Sequence, residues 1–327
     1  MPPPAIPVSV PGKLFLLGEY AVLAGGPALV TSIDRHITVT PRSDDEGYQL
    51  NGASFPDALR LPVLVQQVLR QEEGIEVKAN RLTVDVSDFF HDGTKLGLGS
   101  SAASTVAIIA STAPHLSAQR RFELAWEVHR RFQGGVGSGA DIAASTFGGT
   151  LAFHLHSLSE TFESLNLPGL TAPGNPVVTD VATIDPHLKI PEELRIDAVW
   201  TGESAQSVSF VKGLEQALER ETRATEATLK SIASRARVGV HALRTGNVER
   251  FIEAIRKGDR AMERLGELTG LPIITDVHRR IRALAHTTHS VAKPSGAGGG
   301  DFTILVGPAD APISRVIADD YLVLPIA

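Results

Sequence analysis

Two spacings of apolar residues divide the chain. A spacing of three and four places Leu61, Leu64, Val65, Val68 and Leu69 on one face and predicts a helix over 61–72. Similar patterns predict helices over 121–132, 204–220, 222–243, 248–265 and 276–285. The small and apolar run 102–110 has no polar face and predicts a buried helix. Period-two alternation and short β-branched runs predict strands at 28–30, 36–40, 81–86, 150–154, 196–200, 289–292, 302–306 and 321–324. Gly25-Gly26-Pro27 and 44–47 read as turns, and Gly134-Gly135 as a helix stop. Residues 157–192 are rich in Pro, Leu and Gly without a period and read as irregular edge strands and a crossing between domains. Strands beside several helices, without regular βαβ repetition, predict the α+β class.

Length changes this picture by one step. At roughly 100–200 residues per domain, 327 residues predict two domains, 1–194 and 195–327. Hydrophobic residues make up 43% but aromatics only 5%, so the core is built from Ala, Val, Leu and Ile. The net charge of −6 supplies no field for nucleic acid or an anionic membrane. An anionic ligand must therefore be held by a local cluster of Lys or Arg. The absence of Cys excludes disulfides, thiolate metal sites and a Cys nucleophile, and fits a reducing cytoplasm. The N-terminus lacks the basic-then-apolar order of a signal peptide, and no apolar run reaches about 18 residues. The expectation is a soluble, cytoplasmic protein, monomer or homodimer, without nucleic-acid or membrane partners.

Three glycine-bearing segments carry the candidate chemistry. The first is Pro11-Gly12-Lys13-Leu14-Phe15-Leu16-Leu17-Gly18-Glu19-Tyr20. The second, Gly97-Leu98-Gly99-Ser100-Ser101-Ala102-Ala103, opens the small-residue helix. The glycines allow close approach of backbone to phosphate, and the free N–H groups and dipole of the helix start attract an anion. Ser100 and Ser101 offer hydroxyls to phosphate or Mg²⁺. The alternative is a loop that merely begins a helix. No Lys-Ser/Thr pair follows the last glycine, so the loop is not a Walker A. The third segment is Lys293-Pro294-Ser295-Gly296-Ala297-Gly298-Gly299-Gly300-Asp301. So many glycines carry an entropic cost, which points to close approach of a ligand rather than a structural bend.

These three segments, in this order, resemble the signature of the GHMP kinases along essentially the full chain. The resemblance implies an N-terminal domain with a left-handed βαβ crossover, a ferredoxin-like C-terminal domain and an active site between them. Within the superfamily, Tyr20, Lys95, the stretch Gln133-Gly134-Gly135-Val136-Gly137-Ser138-Gly139-Ala140-Asp141, the segment Trp200-Thr201-Gly202 and the ending Gly300-Asp301 resemble phosphomevalonate kinases. Phe302 departs from that pattern, in which Cys is common. The resemblance implies transfer of the γ-phosphoryl group of MgATP to phosphomevalonate, giving diphosphomevalonate, with mevalonate kinase or another alcohol-phosphorylating GHMP kinase as the alternative.

Two polyanions meeting at one site need several cations, and Lys13, Lys95 and Lys293 each lie in or beside one of the segments. The expected assignments are as follows. Gly97, Leu98, Gly99, Ser100, Ser101 and Ala102 hold the triphosphate, with Ser101 assisting Mg²⁺. Lys13 bridges donor and acceptor. Tyr20, Lys95, Ser138, Ser295, Ala297 and Gly298 face the acceptor. Asp141 is a base, an orienting group or a helix cap. A phosphate acceptor with a second pKa of about 6 needs no base, which favours orientation. Glu19 either orders Lys13 or forms a buried ion pair. His129 and His154 have no metal-site spacing and read as structural. Arg35 and Lys212 are candidates for a carboxylate, and 86–88 for the adenine.

Overall fold

The computed structural model describes residues 6–42, 48–52, 60–76, 81–135, 137–156, 176–205, 207–312 and 320–326, and these carry every helix that the apolar spacing predicts. The elements begin with β1 (Val8–Leu17), β2 (Pro27–Pro41), β3 (Gln49–Asn51), α1 (Arg60–Glu73), β4 (Leu82–Asp85), β5 (Phe90–His91), β6 (Thr94–Lys95), α2 (Ser100–Thr112), α3 (Ala118–Phe132) and α4 (Ala140–Phe147). They continue with β7 (Thr150–Leu155), β8 (Val177–Val178), β9 (Ala182–Leu188), β10 (Leu194–Trp200), α5 (Ser207–Arg220), α6 (Thr222–Arg244), α7 (Val248–Thr269), α8 (Asp276–Thr287), β11 (Val291–Ser295), β12 (Phe302–Pro308) and β13 (Val323–Pro325). The two predicted strands at 28–30 and 36–40 are one continuous strand, β2. Neither Gly nor Pro interrupts Thr31–Arg35, so the extended backbone continues there. The predicted turn at 44–47, and residues 157–175 of the irregular stretch, lie outside the described residues.

The chain forms two compact units, Met1–Lys13 with Ser32–Gly148 and Leu14–Thr31 with Gly149–Ala327. They are interleaved along the sequence, where the sequence reading has one boundary after 194. Both β1 and β2 contribute residues to each unit.

In the first unit, β4 runs antiparallel to the end of β2, with Thr38 opposite Asp85 and Pro41 opposite Leu82. β3 runs parallel to β4, so β3–α1–β4 is a βαβ element with neighbouring strands. Helix α2 touches α1, α3 and α4. Its small residues, Ala102, Ala103 and Ala107, let the other helices approach, and Val106, Ile108 and Ile109 fill the space between them. Truncating fully buried Ile108 or Ile109 to Ala costs about 2–5 kcal/mol. A helix locked this way holds its first turn at a fixed position.

In the second unit, the first half of β2 pairs with β7, β7 with β9, and β9 with β8, all antiparallel. A separate antiparallel sheet has the order β11-β12-β10-β13. Numbered from β10, that order is 2-3-1-4, the ferredoxin-like arrangement. Helices α6 and α7 pack together, and Leu16, Leu17, Ile196, Val240, Phe251, Ile255, Ile304 and Val306 form the core beneath them. Leu17 fills a hole made by two glycines. A Cβ at Gly239 would stand 2.3 Å from Leu17 Cδ1, and one at Gly258 2.8 Å from Leu17 Cδ2. No described helix is long and apolar enough to cross a membrane.

Candidate active site

Two helices of the first unit begin on glycine. Gly99 precedes α2 at φ 81°, ψ 39°, and Gly139 precedes α4 at φ 82°, ψ 4°; neither start has a side-chain cap. Three other helices are capped among the described residues. Ser117, Asn247 and Thr275 each accept a hydrogen bond from the amide three residues on, opening α3, α7 and α8. The N–H groups of Ser100, Ser101 and Ala102 thus start α2 without an intrahelical acceptor or a cap, which is the arrangement that receives an anion. Ser100 Oγ is fully buried and has no hydrogen-bond partner among the described residues.

Lys13 stands against this start. Its N–H donates to Leu98 O at 3.0 Å, and its Nζ lies 3.5 Å from Gly97 O. A Cβ at Gly99 would sit 3.1 Å from Lys13 Cε and 3.8 Å from Asp141 Cβ. The glycine is what lets the ammonium stem and the carboxylate stem share that face. Asp141 is the second residue of α4, and its Oδ1 accepts from the Ile142 N–H at 3.0 Å. The capping reading of Asp141 therefore gives way to a first-turn position beside Lys13. Ser138 is buried, and its Oγ accepts from Ala140 N–H at 3.3 Å. A Cβ at Gly139 would meet Trp126 Cδ1 at 2.3 Å, so the α4 turn is seated on the indole. Lys95 is half-buried at the end of β6.

His129 also belongs to this group, although the sequence reading leaves it as structural. It is 4% exposed, and its Nε2 lies 3.0 Å from Ser101 Oγ. Burial lowers its pKa; the Asp141 carboxylate opposes that, and the Lys95 and Lys13 ammoniums add to it. The imidazole is therefore neutral. A lone His in a helical pattern gives no sign of such a partner, because the partner lies 28 residues away.

In the second unit the third segment is tied down at many points. Lys293 is 1% exposed, and its Nζ donates to the Glu19 carboxylate and to Pro294 O at 2.6 Å. This corrects the expectation of three phosphate-facing lysines: Lys293 is consumed by a buried ion pair. Glu19 takes the ion-pair role left open for it. Ser295 Oγ accepts from Phe15 N–H at 2.9 Å. The Tyr20 hydroxyl donates to Ala297 O. Burial, then the Glu19 charge, raises the Tyr20 pKa, so the proton of this bond is retained. Tyr20 thus holds the loop. Asp301 N–H donates to Glu203 O at 2.7 Å, Asp301 Oδ1 accepts from Ala205 N–H at 3.0 Å, and Asp301 O accepts from Thr201 N–H. The Trp200-Thr201-Gly202 stretch is thereby the strap of this loop.

The glycines there are explained by their own surroundings. A Cβ at Gly298 would lie 2.4 Å from Ile273 O, at Gly299 2.3 Å from Phe210 Cζ, and at Gly300 2.8 Å from Glu203 O. This corrects the reading of the whole glycine run as ligand approach: three of the four are required by packing, and only Gly296 has open space. What the packing leaves is the backbone. Among the described residues nothing accepts from the N–H groups of Gly296, Ala297 and Gly298. Of the other candidates, Arg35 is half-buried on β2, Lys212 is exposed on α5, and Asp88 Oδ2 accepts from His36 N–H at 3.3 Å. His154 is part-buried on β7, beside His156.

No group of three His, Asp or Glu side chains able to hold a metal exists among the described residues. The donors at the first loop are hard oxygens, Ser100 and Ser101 hydroxyls and the Asp141 carboxylate. That sparse set fits Mg²⁺, which is held by one or two protein oxygens with substrate phosphates completing the shell.

Comparison with known proteins places this geometry. The model for the GHMP kinases N terminal domain matches residues 65–149. The chain is 33% identical over 345 aligned positions to the phosphomevalonate kinase of Streptomyces sp. (strain CL190), across 92% of this chain and 89% of that one. Among solved structures, the Lin0012 protein from Listeria innocua superposes with a TM-score of 0.81 at 24% identity, covering 98% and 97% of the two chains. Streptococcus pneumoniae phosphomevalonate kinase, in complex with phosphomevalonate and AMPPNP, does so with a TM-score of 0.74 at 23% identity, covering 96% and 95%. The architecture is the GHMP kinase fold. The chain belongs to the phosphomevalonate kinase family within the GHMP kinases.

Proposed function

We propose that this chain transfers the γ-phosphoryl group of ATP to the phosphate of phosphomevalonate, yielding diphosphomevalonate and ADP. The observation that carries the reading is the uncapped start of α2 with Lys13 and Asp141 against Gly99. The full-length likeness to a phosphomevalonate kinase supports the choice of acceptor.

The reaction is an in-line displacement. An oxygen of the acceptor phosphate bonds to the γ-phosphorus as the bond to the β,γ-bridging oxygen breaks, and ADP leaves with that electron pair. Such a transfer relies on positioning and charge neutralisation rather than covalent catalysis. The amides of Ser100, Ser101 and Ala102 bind phosphate oxygens of the nucleotide. Lys13 neutralises charge on the transferring group, and Lys95 pairs with an anionic group of the acceptor. Ser101 Oγ and the Asp141 carboxylate are the ligands this chain offers to Mg²⁺, which when bound screens the triphosphate charge. The acceptor is mostly a dianion, because its second pKa is about 6. It arrives deprotonated, and Asp141 orients Lys13 rather than removing a proton. The amides of Gly296, Ala297 and Gly298 bind an acceptor oxygen. Tyr20, Ser138 and Ser295 act through the loops they fasten.

A panel of phosphomevalonate, mevalonate, galactose and homoserine with ATP, read as ADP release, tests the proposal. Turnover on phosphomevalonate at least tenfold above the alcohols is expected. Turnover on mevalonate without phosphomevalonate rejects this acceptor, and ATP binding without turnover on any acceptor rejects a kinase.

A further inference from the structure

Among the described residues, Ser101 Oγ has a side-chain partner, a histidine, whereas the neighbouring Ser100 Oγ has none. A serine inside a helix ordinarily returns its proton to the carbonyl four residues back, but Ser101 is only the second residue of α2. Here that carbonyl is Gly97 O, and it lies 3.5 Å from Lys13 Nζ. The Ser101 carbonyl accepts from Thr105 Oγ1 at 2.8 Å, which fixes the backbone but not the hydroxyl. Among the described residues the hydroxyl meets His129 Nε2, at 3.0 Å.

By its tautomer, the imidazole Nε2 is either a donor or an acceptor toward the hydroxyl. The two cases give Ser101 opposite chemistry. If Nε2 carried the proton, Ser101 would accept from it and keep its own proton for a phosphate oxygen. If Nε2 is the bare nitrogen, Ser101 donates to it, and the lone pairs of Oγ are left outward. In the second case the hydroxyl proton has an acceptor within the protein, at 3.0 Å, and the Oγ lone pairs are free for a cation.

We infer that His129 is a positioning residue: its Nε2 accepts the Ser101 hydroxyl proton and so makes Ser101 Oγ a cation ligand rather than a phosphate donor. His129 is well placed for this. It sits in the last turn of α3, which packs on both α2 and α4, so its ring is held by the same helices that carry Ser101 and Asp141. The inference rests on the reading of the α2 start as the nucleotide site, and adds what decides the role of one hydroxyl there.

The test is calorimetric affinity for AMPPNP with Mg²⁺ and with EDTA, on the full chain without acceptor. In the wild type, Mg²⁺ tightens binding. In His129→Leu, a lost hydrogen bond of about 1 kcal/mol removes roughly five- to tenfold of that tightening. Metal-free affinity stays within about twofold, because the His129 contact is to Ser101 Oγ, whose lone pairs face the cation in this reading. Ser101→Ala loses the Mg²⁺ effect to the same extent, and the double variant is no weaker than either single one. His129→Gln places an amide oxygen near the Nε2 position and restores the Mg²⁺ effect. His129→Asn, whose amide is too short, does not, and serves as the loss variant if His129→Leu unfolds. Equal weakening with and without Mg²⁺, or an unchanged Mg²⁺ effect in His129→Leu and His129→Asn, overturns the inference. Failure of the wild type to bind nucleotide at all instead overturns the proposed function.

Discussion

The chain carries two glycine-rich loops of nearly equal composition that are built by different physics. At 97–101 the glycines clear space for other side chains and leave a helix start open. Gly99 faces Lys13 and Asp141, and the α2 amides have no cap. At 293–301 the glycines fit the loop onto its own scaffold. Gly298, Gly299 and Gly300 press against Ile273, Phe210 and Glu203, and the ion pair of Lys293 with Glu19 anchors the entry. In the proposed function, 97–101 acts through side chains and amides together, and 293–301 through amides alone, held still by the packing beneath them. Glycine content therefore marks where backbone matters, and the neighbours decide whether it serves a ligand or a packing contact.

The comparison predicts that lesions at 293–301 destabilise, while lesions at 97–101 and the Lys13 beside it disable. The largest effect is expected for Lys293→Met, which leaves Glu19 buried and unpaired and costs about 3–5 kcal/mol of stability. Urea unfolding measures it, and Glu19→Leu added to Lys293→Met should recover most of the loss. A loss below 1 kcal/mol means the pair is not a structural anchor. Next is Lys13→Met, which should lower kcat about 100- to 1,000-fold, as for loss of one preorganised charge-stabilising group. Its melting temperature should stay near the wild-type value; a large drop in melting temperature breaks the contrast.

The glycines themselves sharpen the point. Gly298→Ala meets a carbonyl at φ +78° and should cost about 3 kcal/mol. Gly99→Ala meets only the flexible Lys13 stem and should cost about 1 kcal/mol, with a disproportionate fall in kcat/KM. Equal destabilisation by the two would erase the distinction.

The smallest effect is the wild-type pH response near Lys293 and Gly300, where two opposed contributions cancel. Burial raises the Asp259 carboxyl to about 6, against the opposing pull of Arg282. Its contribution is present below the unfolded value of 3.8 and is lost as pH rises through about 6. Burial, then the Arg282 charge, lowers His278 to about 4. Its contribution is present above 6.5 and is lost as pH falls through about 4. Each is on the order of 3 kcal/mol with opposite sign, so wild-type stability should be nearly flat from pH 4 to 6. Asp259→Asn should expose the His278 limb, with stability rising as pH rises in that window. A curve for Asp259→Asn as flat as the wild type breaks the assignment.

Much of this was readable along the chain. Apolar spacing marks the helices because each buries one face, and α2 stands out because it buries all of them. The ends were less readable. Helix α3 starts at Ala118, three residues before its pattern becomes visible, because the Ser117 side chain caps it. Local loop structure was legible where the residues are consecutive, as in the uncapped helix start at 97–103. It was misread at Lys293, because a lysine beside a glycine loop looks alike whether its partner is a phosphate or a glutamate. His129 carried no signal, because its meaning is a contact with Ser101 on another helix.

The order of the three segments and the small-residue helix between them determined the family and the fold class, since these are properties of adjacent residues and local periodicity. Only the folded chain decided that Lys13 and Asp141 share the face of Gly99, that Lys293 is spent on Glu19, and that Tyr20 holds Ala297. Those are pairings between residues tens to hundreds of positions apart, and short-range order in a sequence does not encode which distant side chain fills a given neighbour's space or neutralises its charge.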